Sequence, residues 1–373
     1  MKFVFLISEY QYYQTHRKSL IEHILNQDKK NTVHVVTNFD KNTIISSQDR
    51  LNFININFNR NRIDFIKLLH NIILINKILN NLKPDIIHCV SMKTIIIGGI
   101  LSLFKKLKFI FSVNGLGSIY TDNSYLMKIL KFLFNIYFYF ILIKKNRFIT
   151  VQNNDEYVFF KNLKINKNKI FLIKGSGVDL SKFYPLRYKS NKNIRVAFIG
   201  RLIKYKGINE FLSISKMIKK NNSTKTKFYI FGKFDNHNRY NIKINEIKQY
   251  YEDRYISWFG YRNDIWKYLN KIDIAIFPST LREGIPLSLL QALASGVSVI
   301  SSDIPGCRDV IKNNFNGNLV TKGNINEFYE ALIKLLNNED IRKKYCDRNQ
   351  EIIKEFSQEN INYQFYNLYS NEQ

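Results

Sequence analysis

Two cations stand five residues apart in the segment AFIGRLIKYKG (197–207), where an apolar run ends. The pattern is that of a strand ending at Gly200, a loop that carries Arg201 and Lys206, and a helix that begins near Gly207. The free N–H groups and the positive dipole end of a helix N-terminus attract phosphate, and two cations beside it can clamp a diphosphate. The segment therefore predicts a phosphate-binding loop, with an ordinary exposed loop as the alternative.

A second segment, FPSTLREGIPLSLLQALASGVSVISSDIPGCRDVI (277–311), places a carboxylate behind another apolar run. Glu283 lies in the loop, Pro286 suits the first turn of the next helix, and Gln291 lies further along that helix. A carboxylate in this loop can accept hydrogen bonds from sugar hydroxyls. The alternative is an acid that only favours the positive end of the helix dipole.

The charge of the chain favours an anionic partner. Its 373 residues carry a net charge of +27, and 45% of them are hydrophobic, which is enough for two domains with their own cores. Nucleic acid, an acidic membrane face and phosphorylated substrates all fit such a charge, and a compositional bias towards Lys and Asn is the alternative cause. The sequence has no zinc finger, RNA-recognition signature or confined basic arm, so we expect no nucleic-acid partner.

Apolar runs alternate with helix-period segments along the chain, which indicates parallel α/β sheets. The segment 174–193 carries Gly, Ser, Pro and charge and separates two sets of runs. We predict two doubly wound, Rossmann-like α/β domains over 1–187 and 188–356, and a terminal helix over 357–373 that packs back on the first domain. Ligands of such sheets bind at the carboxyl ends of the strands, here in a cleft that the domains face. The predicted strands are 2–8, 32–37, 53–57, 85–90, 108–113, 147–152, 169–173, 194–200, 227–232, 255–260, 272–279 and 297–302.

Several other kinds of site have no signature in the sequence. It contains no Asp-x-Asp, no Gly-x-Gly-x-x-Gly after the first strand and no Gly-x4-Gly-Lys-Ser/Thr, so we expect neither a metal-held diphosphate nor a nicotinamide or ATP site. The apolar run 132–143 is shorter than the roughly 20 residues of a membrane span, and no signal peptide is apparent. The sequence has three cysteines, Cys89, Cys307 and Cys346, and their spacing is not that of metal ligands. Three such cysteines suit a reducing compartment. We therefore expect a cytoplasmic protein without a cofactor.

The two segments described first resemble the nucleotide-sugar-binding half of family 4 glycosyltransferases, which are retaining enzymes of the GT-B fold. The resemblance is nearest to bacterial enzymes that build O-antigen, capsule or other glycans on a polyprenyl-diphosphate lipid. It implies that Arg201 and Lys206 hold the donor diphosphate and that Glu283 contacts the donor sugar, so these three form the expected catalytic set. Gln291 stands where the family has a second Glu that accepts from the ribose hydroxyls. Since Gln offers fewer acceptors, ribose binding is expected to be weaker by about 1–2 kcal/mol.

The resemblance extends to the first half of the chain through THRKSL (15–20), DIIHCVSMKT (85–94) and VNGLGSIYTD (113–122). Many relatives place a His where this chain has Asn114, so we assign Asn114 no general-base role. A structural role is the alternative for both cleft histidines, His16 and His88. The implied acceptor-side residues are His16, His88, Asn114, Gly115 and Gly117, and the implied donor-binding residues are Gly200, Arg201, Lys206, Tyr261, Arg262, Glu283, Gly284, Ile285 and Gln291.

Together these residues imply transfer of a sugar from a UDP-sugar to a polyprenyl-diphosphate-linked saccharide, with retained configuration and without a metal. The aromatic, Lys-rich stretch Tyr125–Lys145 suits binding to an anionic membrane surface, with core packing as the alternative. We therefore expect a peripheral enzyme at the inner face of the cytoplasmic membrane. A nucleotide-sugar epimerase or hydrolase of the same fold is the main rival, and a basic nucleic-acid-binding protein is a distant one.

Overall fold

The computed structural model describes residues 1–40, 49–58, 64–116, 120, 124–185, 193–220, 226–235, 240–251 and 255–370. The chain forms two compact units, one from Met1–Ser176 with Gln358–Gln373 and the other from Gly177–Ser357. Each unit holds a parallel sheet with helices, which confirms the predicted α/β fold class.

The first unit contains a seven-stranded sheet. Its strands are β1 (Lys2–Ile7), β2 (Thr32–Thr37), β3 (Leu51–Asn55), β4 (Ile86–Val90), β5 (Lys108–Ser112), β6 (Arg147–Val151) and β7 (Ile170–Leu172). They lie in the order β3-β2-β1-β4-β5-β6-β7. The helices are α1 (Tyr10–Tyr12), α2 (Lys18–Gln27), α3 (Phe65–Leu82), α4 (Met92–Phe104), α5 (Tyr125–Ile143), α6 (Asn154–Asn162) and, from the end of the chain, α13 (Gln358–Ser370), and a π-helical turn, Tyr13–Arg17, joins α1 to α2.

The second unit contains a six-stranded sheet. Its strands are β8 (Ile194–Ile199), β9 (Thr226–Phe231), β10 (Ile256–Trp258), β11 (Ile274–Phe277), β12 (Ser298–Ser302) and β13 (Asn318–Val320). They lie in the order β10-β9-β8-β11-β12-β13. The helices are α7 (Ile208–Lys220), α8 (Ile244–Tyr251), α9 (Trp266–Leu269), α10 (Leu287–Ala294), α11 (Ile325–Asn337) and α12 (Glu339–Ile352).

Each of the twelve predicted runs overlaps an observed strand. The sequence predicted no strand at β13, because its three residues, NLV, are too few and too polar to stand out as an apolar run.

Strand β1 divides its side chains between two helical layers. Phe3, Phe5 and Ile7 pack with α2 and α13, whereas Val4 and Leu6 pack with α3, α4 and α5. This alternation is the two-residue period of a strand, and burial on both faces explains why the run KFVFLI is almost wholly apolar. The end of the chain therefore completes the core of the first unit.

The chain leaves the first unit earlier than the predicted boundary. The Val178 N–H donates to the Phe356 carbonyl at 2.8 Å, and the Phe183 and Trp266 ring centroids are 6.3 Å apart. These contacts hold residues 177–185 in the second unit, which begins at Gly177. The predicted boundary at 187–188 lies outside the described residues.

Helix α5 is the one helix among the described residues that is long and apolar enough to cross a membrane, by length and composition only. It has 19 residues, and only 17% of its most apolar stretch is buried. The helix is longer than the predicted apolar run 132–143 because it continues through Lys128 and Lys131. The sequence analysis identified only the later part of this helix, 132–143, as an apolar run.

Candidate active site

A close approach at Gly207 brings two loops of the second sheet together. Gly207 has a φ of +81°, and a Cβ there would lie 2.1 Å from the Pro278 carbonyl oxygen. Only glycine combines that backbone conformation with so little space. The Thr280 N–H donates to the Tyr205 carbonyl at 2.9 Å, so the loop after β11 is held against the loop after β8.

This approach places Lys206 beside Glu283. The Lys206 Nζ forms an ion pair with Glu283 Oε2, although the two residues are 77 positions apart in the chain. Both side chains are about one-fifth exposed, at 22% and 20%. Partial burial weakens solvent screening, so the attraction exceeds that of a fully exposed pair. The cation and the carboxylate predicted from separate segments therefore meet at the carboxyl edge of the second sheet.

Arg201 has a different carboxylate partner, which the sequence analysis missed. Its Nη1 lies 3.0 Å from Oδ2 of Asp235, a residue of the loop after β9 that is almost fully buried. The Asp235 N–H in turn donates to the Asn241 side-chain oxygen at 3.0 Å. An acidic residue just past a strand end, in the segment FGKFD (231–235), is the signal that could have found it.

The loops after β8 and β9 are also joined by backbone bonds. Gly200 donates to Phe231 at 2.9 Å, and Leu202 donates to Lys233 at 3.0 Å. Gly200 is thus the point where sheet pairing ends and the loop begins. The loop that carries Arg201 and Lys206 is therefore held by backbone hydrogen bonds to the loop after β9 and by the ion pair of Lys206 with Glu283.

The remaining predicted donor-binding residues lie on neighbouring segments of the second unit. Gly284 and Ile285 are buried just before α10, and Gln291 is half-buried on that helix. Tyr261 and Arg262 follow β10, where Tyr261 lies 5.5 Å below the Lys233 Nζ and the Arg262 guanidinium lies 5.2 Å from the Tyr268 ring. The donor role of Tyr261 and Arg262 stays a prediction.

The acceptor-side residues of the first unit form a polar cluster around Asn114. The Asn114 Nδ2 donates to the Tyr12 hydroxyl at 2.7 Å, and its Oδ1 accepts from Gln152 Nε2 at 2.8 Å. His16 stacks on Tyr12 with ring centroids 4.2 Å apart, and its Nδ1 lies 2.6 Å from the Thr15 hydroxyl. Tyr12 therefore joins His16 and Asn114 in one cluster, and their acceptor role stays a prediction.

His88 occupies a different place from the predicted one. Its ring is fully buried, with Nδ1 2.7 Å from the Tyr369 hydroxyl and Nε2 2.6 Å from the Ser112 hydroxyl. Burial, and secondarily the charge of Arg17, lowers the pKa of His88 well below its usual value. With both nitrogens in hydrogen bonds inside the core, His88 has the structural role, and its assignment to the acceptor side was wrong.

Glu156 organises the loop that carries Gly115. Gly115 has a φ of +115°, and the next N–H, of Leu116, donates to Glu156 Oε1 at 3.1 Å. The other oxygen of this buried carboxylate accepts from the Gln152 N–H at 3.2 Å. Glu156 was not among the predicted site residues, and Gly117 lies outside the described residues.

Within the described residues, no group of three or more His, Cys, Asp or Glu side chains is placed to hold a metal ion. Metal-free donor binding remains a prediction.

Family models match both halves of the chain. Residues 4–152 match the model described as "Glycosyl transferase 4-like", and residues 185–352 match "Glycosyl transferases group 1". The chain therefore belongs to the glycosyltransferases with these two paired domains, and it is an enzyme of that class.

Two curated relatives span most of the chain. A Campylobacter jejuni N,N'-diacetylbacillosaminyl-diphospho-undecaprenol alpha-1,3-N-acetylgalactosaminyltransferase is 29% identical over 85% of this chain and 85% of its own length. An Escherichia coli UDP-Gal:alpha-D-GlcNAc-diphosphoundecaprenol alpha-1,3-galactosyltransferase is 28% identical over 76% of this chain and 75% of its own.

Solved structures share the fold. A sucrose-phosphate synthase from Thermosynechococcus elongatus superposes with a TM-score of 0.82 at 16% identity, covering 99% of this chain and 98% of its own. Anabaena Alr3699/HepE, solved in complex with UDP, superposes with a TM-score of 0.76 at 15% identity, covering 99% and 100%. These similarities confirm the GT-B fold that the sequence predicted.

Proposed function

We propose that this glycosyltransferase moves a sugar from a UDP-sugar to a hydroxyl of a polyprenyl-diphosphate-linked saccharide, with retention of the anomeric configuration, in the synthesis of bacterial surface glycans. The observation that carries the proposal is the meeting of Lys206 with Glu283, beside the loop of Arg201, at the carboxyl edge of the second sheet. The names of the Campylobacter jejuni and Escherichia coli relatives described above specify a diphospho-undecaprenol substrate, which supports the acceptor class.

The proposed reaction breaks the bond between the anomeric carbon and the β-phosphate oxygen of UDP. Positive charge develops on the sugar ring and negative charge on the leaving diphosphate, which Arg201 and Lys206 stabilise electrostatically. Glu283 accepts hydrogen bonds from the sugar hydroxyls beside the N–H groups of Gly284 and Ile285. The acceptor hydroxyl oxygen forms the new bond to the anomeric carbon, and its proton passes to the departing phosphate oxygen.

The pairing of Lys206 with Glu283 couples binding of the diphosphate, by Lys206, to orientation of the sugar, by Glu283. A diphosphate competes with Glu283 for the Lys206 ammonium, and the carboxylate that it displaces is then available to the sugar hydroxyls. The donor therefore meets a clamp whose cation and sugar-orienting acid are already adjacent.

A membrane surface is the second partner that we propose. Helices α3, α4 and α5 pack on one face of the first sheet and carry exposed apolar side chains on their outer side, which we call the outer helix surface. Lys128 and Lys131 lie on α5, and Lys144 and Lys145 follow it. Apolar side chains suit the headgroup boundary, while lysines suit anionic headgroups. The surface comprises Phe65, Ile66, Leu69, Ile73, Phe104, Tyr125, Leu126, Phe132, Leu133 and Phe140.

Thermal unfolding with UDP, GDP, ADP and CMP, each with and without EDTA, tests the donor. A nucleotide at a hundredfold its dissociation constant adds about 2.7 kcal/mol of stability. We expect a selective shift with UDP that EDTA does not reduce. A larger shift with GDP would change the donor class, and no shift with any nucleotide would contradict the proposal.

Transfer itself is tested with UDP-sugars and polyprenyl-diphosphate-linked saccharides as substrates. We expect a glycolipid product that requires both substrates. Product formed from the UDP-sugar alone, at a rate unchanged by the lipid, would instead establish the hydrolase or epimerase reaction.

A further inference from the structure

Arg17 is a buried cation in the polar cluster of the first unit. It ends the π-helical turn Tyr13–Arg17, a form of helix that is frequent at functional sites, and only 1% of its surface is exposed. Its Nη1 donates to the His16 carbonyl at 3.0 Å and its Nη2 to the Asn114 side-chain oxygen at 3.4 Å. Both acceptors are neutral, and the buried Nε has no hydrogen-bond partner.

No carboxylate of the described residues lies within ion-pair distance of this guanidinium. Its other close neighbours are aromatic, with the Phe365 ring at 5.3 Å and the Tyr12 ring at 6.0 Å. Cation–π contacts at such distances compensate only part of the cost of removing a charge from water. Arg17 is therefore a cation whose charge the first unit does not balance locally.

The side chains that cover Arg17 are polar and partly accessible. Tyr12, His16 and Asn114 are each half-buried, and Asn114 directly follows the short connection out of β5, at the carboxyl edge of the sheet. Gln152, which donates to the same Asn114 oxygen, follows β6 at that edge. An anion seated on Tyr12, His16 and Asn114 would lie over a cation in a medium of low dielectric, where attraction is strong.

We propose that Tyr12, His16 and Asn114, with Arg17 beneath them, form an anion-binding subsite for the diphosphate of the lipid-linked acceptor. The inference rests on the proposed function for the choice of ligand. In that function the donor diphosphate has its own clamp, Arg201 and Lys206 in the second unit, so the acceptor diphosphate is the anion left for the first unit. Guanidinium groups are well suited to phosphate oxygens.

The sharpest variant is Asn114→Asp, which keeps the shape of the side chain and supplies Arg17 with a carboxylate from within the protein. It should raise the unfolding temperature by pairing the buried cation, and it should repel a diphosphate. Asn168→Asp is the matched control, because it makes the same change at an exposed position of the first unit just before β7, at the opposite edge of the sheet.

Binding is measured by calorimetric titration with farnesyl diphosphate, inorganic diphosphate and farnesol, with saturating UDP present to fill the donor clamp. We expect farnesyl diphosphate to bind the wild type, and Asn114→Asp to weaken binding by about tenfold or more, while Asn168→Asp changes it less than about twofold. If inorganic diphosphate loses affinity in Asn114→Asp to the same extent, the subsite recognises the bare anion. If inorganic diphosphate does not bind at all, the subsite recognises only the lipid-linked diphosphate. Equal affinities in wild type and Asn114→Asp, or equal binding of farnesol, would overturn the inference.

Arg17→Met separates a binding role from a structural one. Replacing a buried charge by an apolar side chain is often neutral or stabilising, so we expect an unchanged or higher unfolding temperature together with the same tenfold loss of affinity. A lower unfolding temperature with unchanged affinity would show that Arg17 is only structural. Titration of the wild type with UDP alone tests the proposed function. A protein that binds UDP but not farnesyl diphosphate would contradict the subsite and leave the proposed function standing.

Discussion

Asp235 and Glu283 hold the two clamp cations of the second unit in different ways. Asp235 is buried and binds the half-exposed Arg201, so it holds a guanidinium that a ligand can still reach. Glu283 is as exposed as its partner Lys206, so a ligand can replace either partner in that pair. At the residue scale, we infer that Asp235 positions Arg201, whereas Glu283 gives up its contact with Lys206 when a ligand binds.

Arg201→Ala and Lys206→Ala should each reduce kcat/KM for sugar transfer by about 30- to 1,000-fold, or about 2–4 kcal/mol, because each removes a cation from the leaving diphosphate. Lys204→Ala is the matched control, since Lys204 is an exposed lysine of the same turn. Rates near wild type in both test variants, with folding intact, would mean that the diphosphate is held elsewhere.

Gln291→Glu should tighten binding of UDP. The substitution restores a second carboxylate oxygen at a half-buried position of α10 and should contribute about 1–2 kcal/mol through the ribose hydroxyls. Calorimetric titration with UDP measures the change in affinity. A parallel titration with CMP, which has a ribose but no diphosphate, tests whether the gain in affinity depends on the diphosphate contact. An affinity equal to that of the wild type would place the ribose away from α10.

At the scale of elements, the site depends on how closely the loops at the carboxyl edge of the second sheet approach one another. Gly207→Ala should lower the unfolding temperature and weaken UDP binding, because the new methyl group would meet the Pro278 carbonyl and push the two loops apart. Gly323→Ala is the control. Gly323 also has a positive φ, +79°, but a Cβ there meets nothing within 4 Å, so it should cost only about 1 kcal/mol of backbone strain and leave UDP binding unchanged.

The outer helix surface, mostly on α3 and α5, is the element that we propose contacts the membrane. The exposed apolar residues of α3 lie in its first half, which faces the carboxyl edge of the first sheet because helices run antiparallel to the strands they connect. Membrane docking through this surface would hold the acceptor-side cluster near the headgroups, where the diphosphate of a lipid-linked saccharide lies.

Phe132→Ser combined with Phe140→Ser should reduce binding to anionic liposomes by about tenfold or more, since each ring contributes about 1.5–3 kcal/mol on burial. Co-sedimentation at increasing salt measures both parts of the interaction, and binding of the wild type should fall with salt. Phe315→Ser, at an exposed phenylalanine of the second unit, is the control. Failure of the wild type to bind at any salt concentration would contradict docking.

At the scale of the whole molecule, His88 links the sheet of the first unit to the end of the chain through Tyr369. Because burial lowers its pKa, His88 stays neutral in the folded protein while the unfolded chain takes up a proton below about pH 6.5. The free energy of unfolding should therefore decrease by up to about 1.4 kcal/mol for each pH unit below that point. Denaturant unfolding between pH 7.5 and 5 measures it, and His88→Gln should have a shallower pH dependence. Identical slopes would show that other groups govern the acid sensitivity.

The sequence by itself determined the α/β class and twelve strand positions, and it singled out the residues of the proposed diphosphate clamp. Strands buried on both faces appear as uninterrupted apolar runs, and Arg201, Lys206 and Glu283 lie in segments whose residue types and spacing are recognisable without coordinates. These features are local in the chain, so local patterns are sufficient to predict them.

Only the tertiary structure decided which side chains meet. It placed Asp235 on Arg201, Glu156 under the Gly115 loop, Arg17 beneath Asn114, and His88 in the core against the last helix. Each pairing joins segments that are far apart in sequence, or depends on whether a strand residue faces the core or the sheet edge. A sequence pattern records the periodicity of a strand but not the packing partner of a given side chain, because that partner is set by strand order, register and the path of the connecting loops.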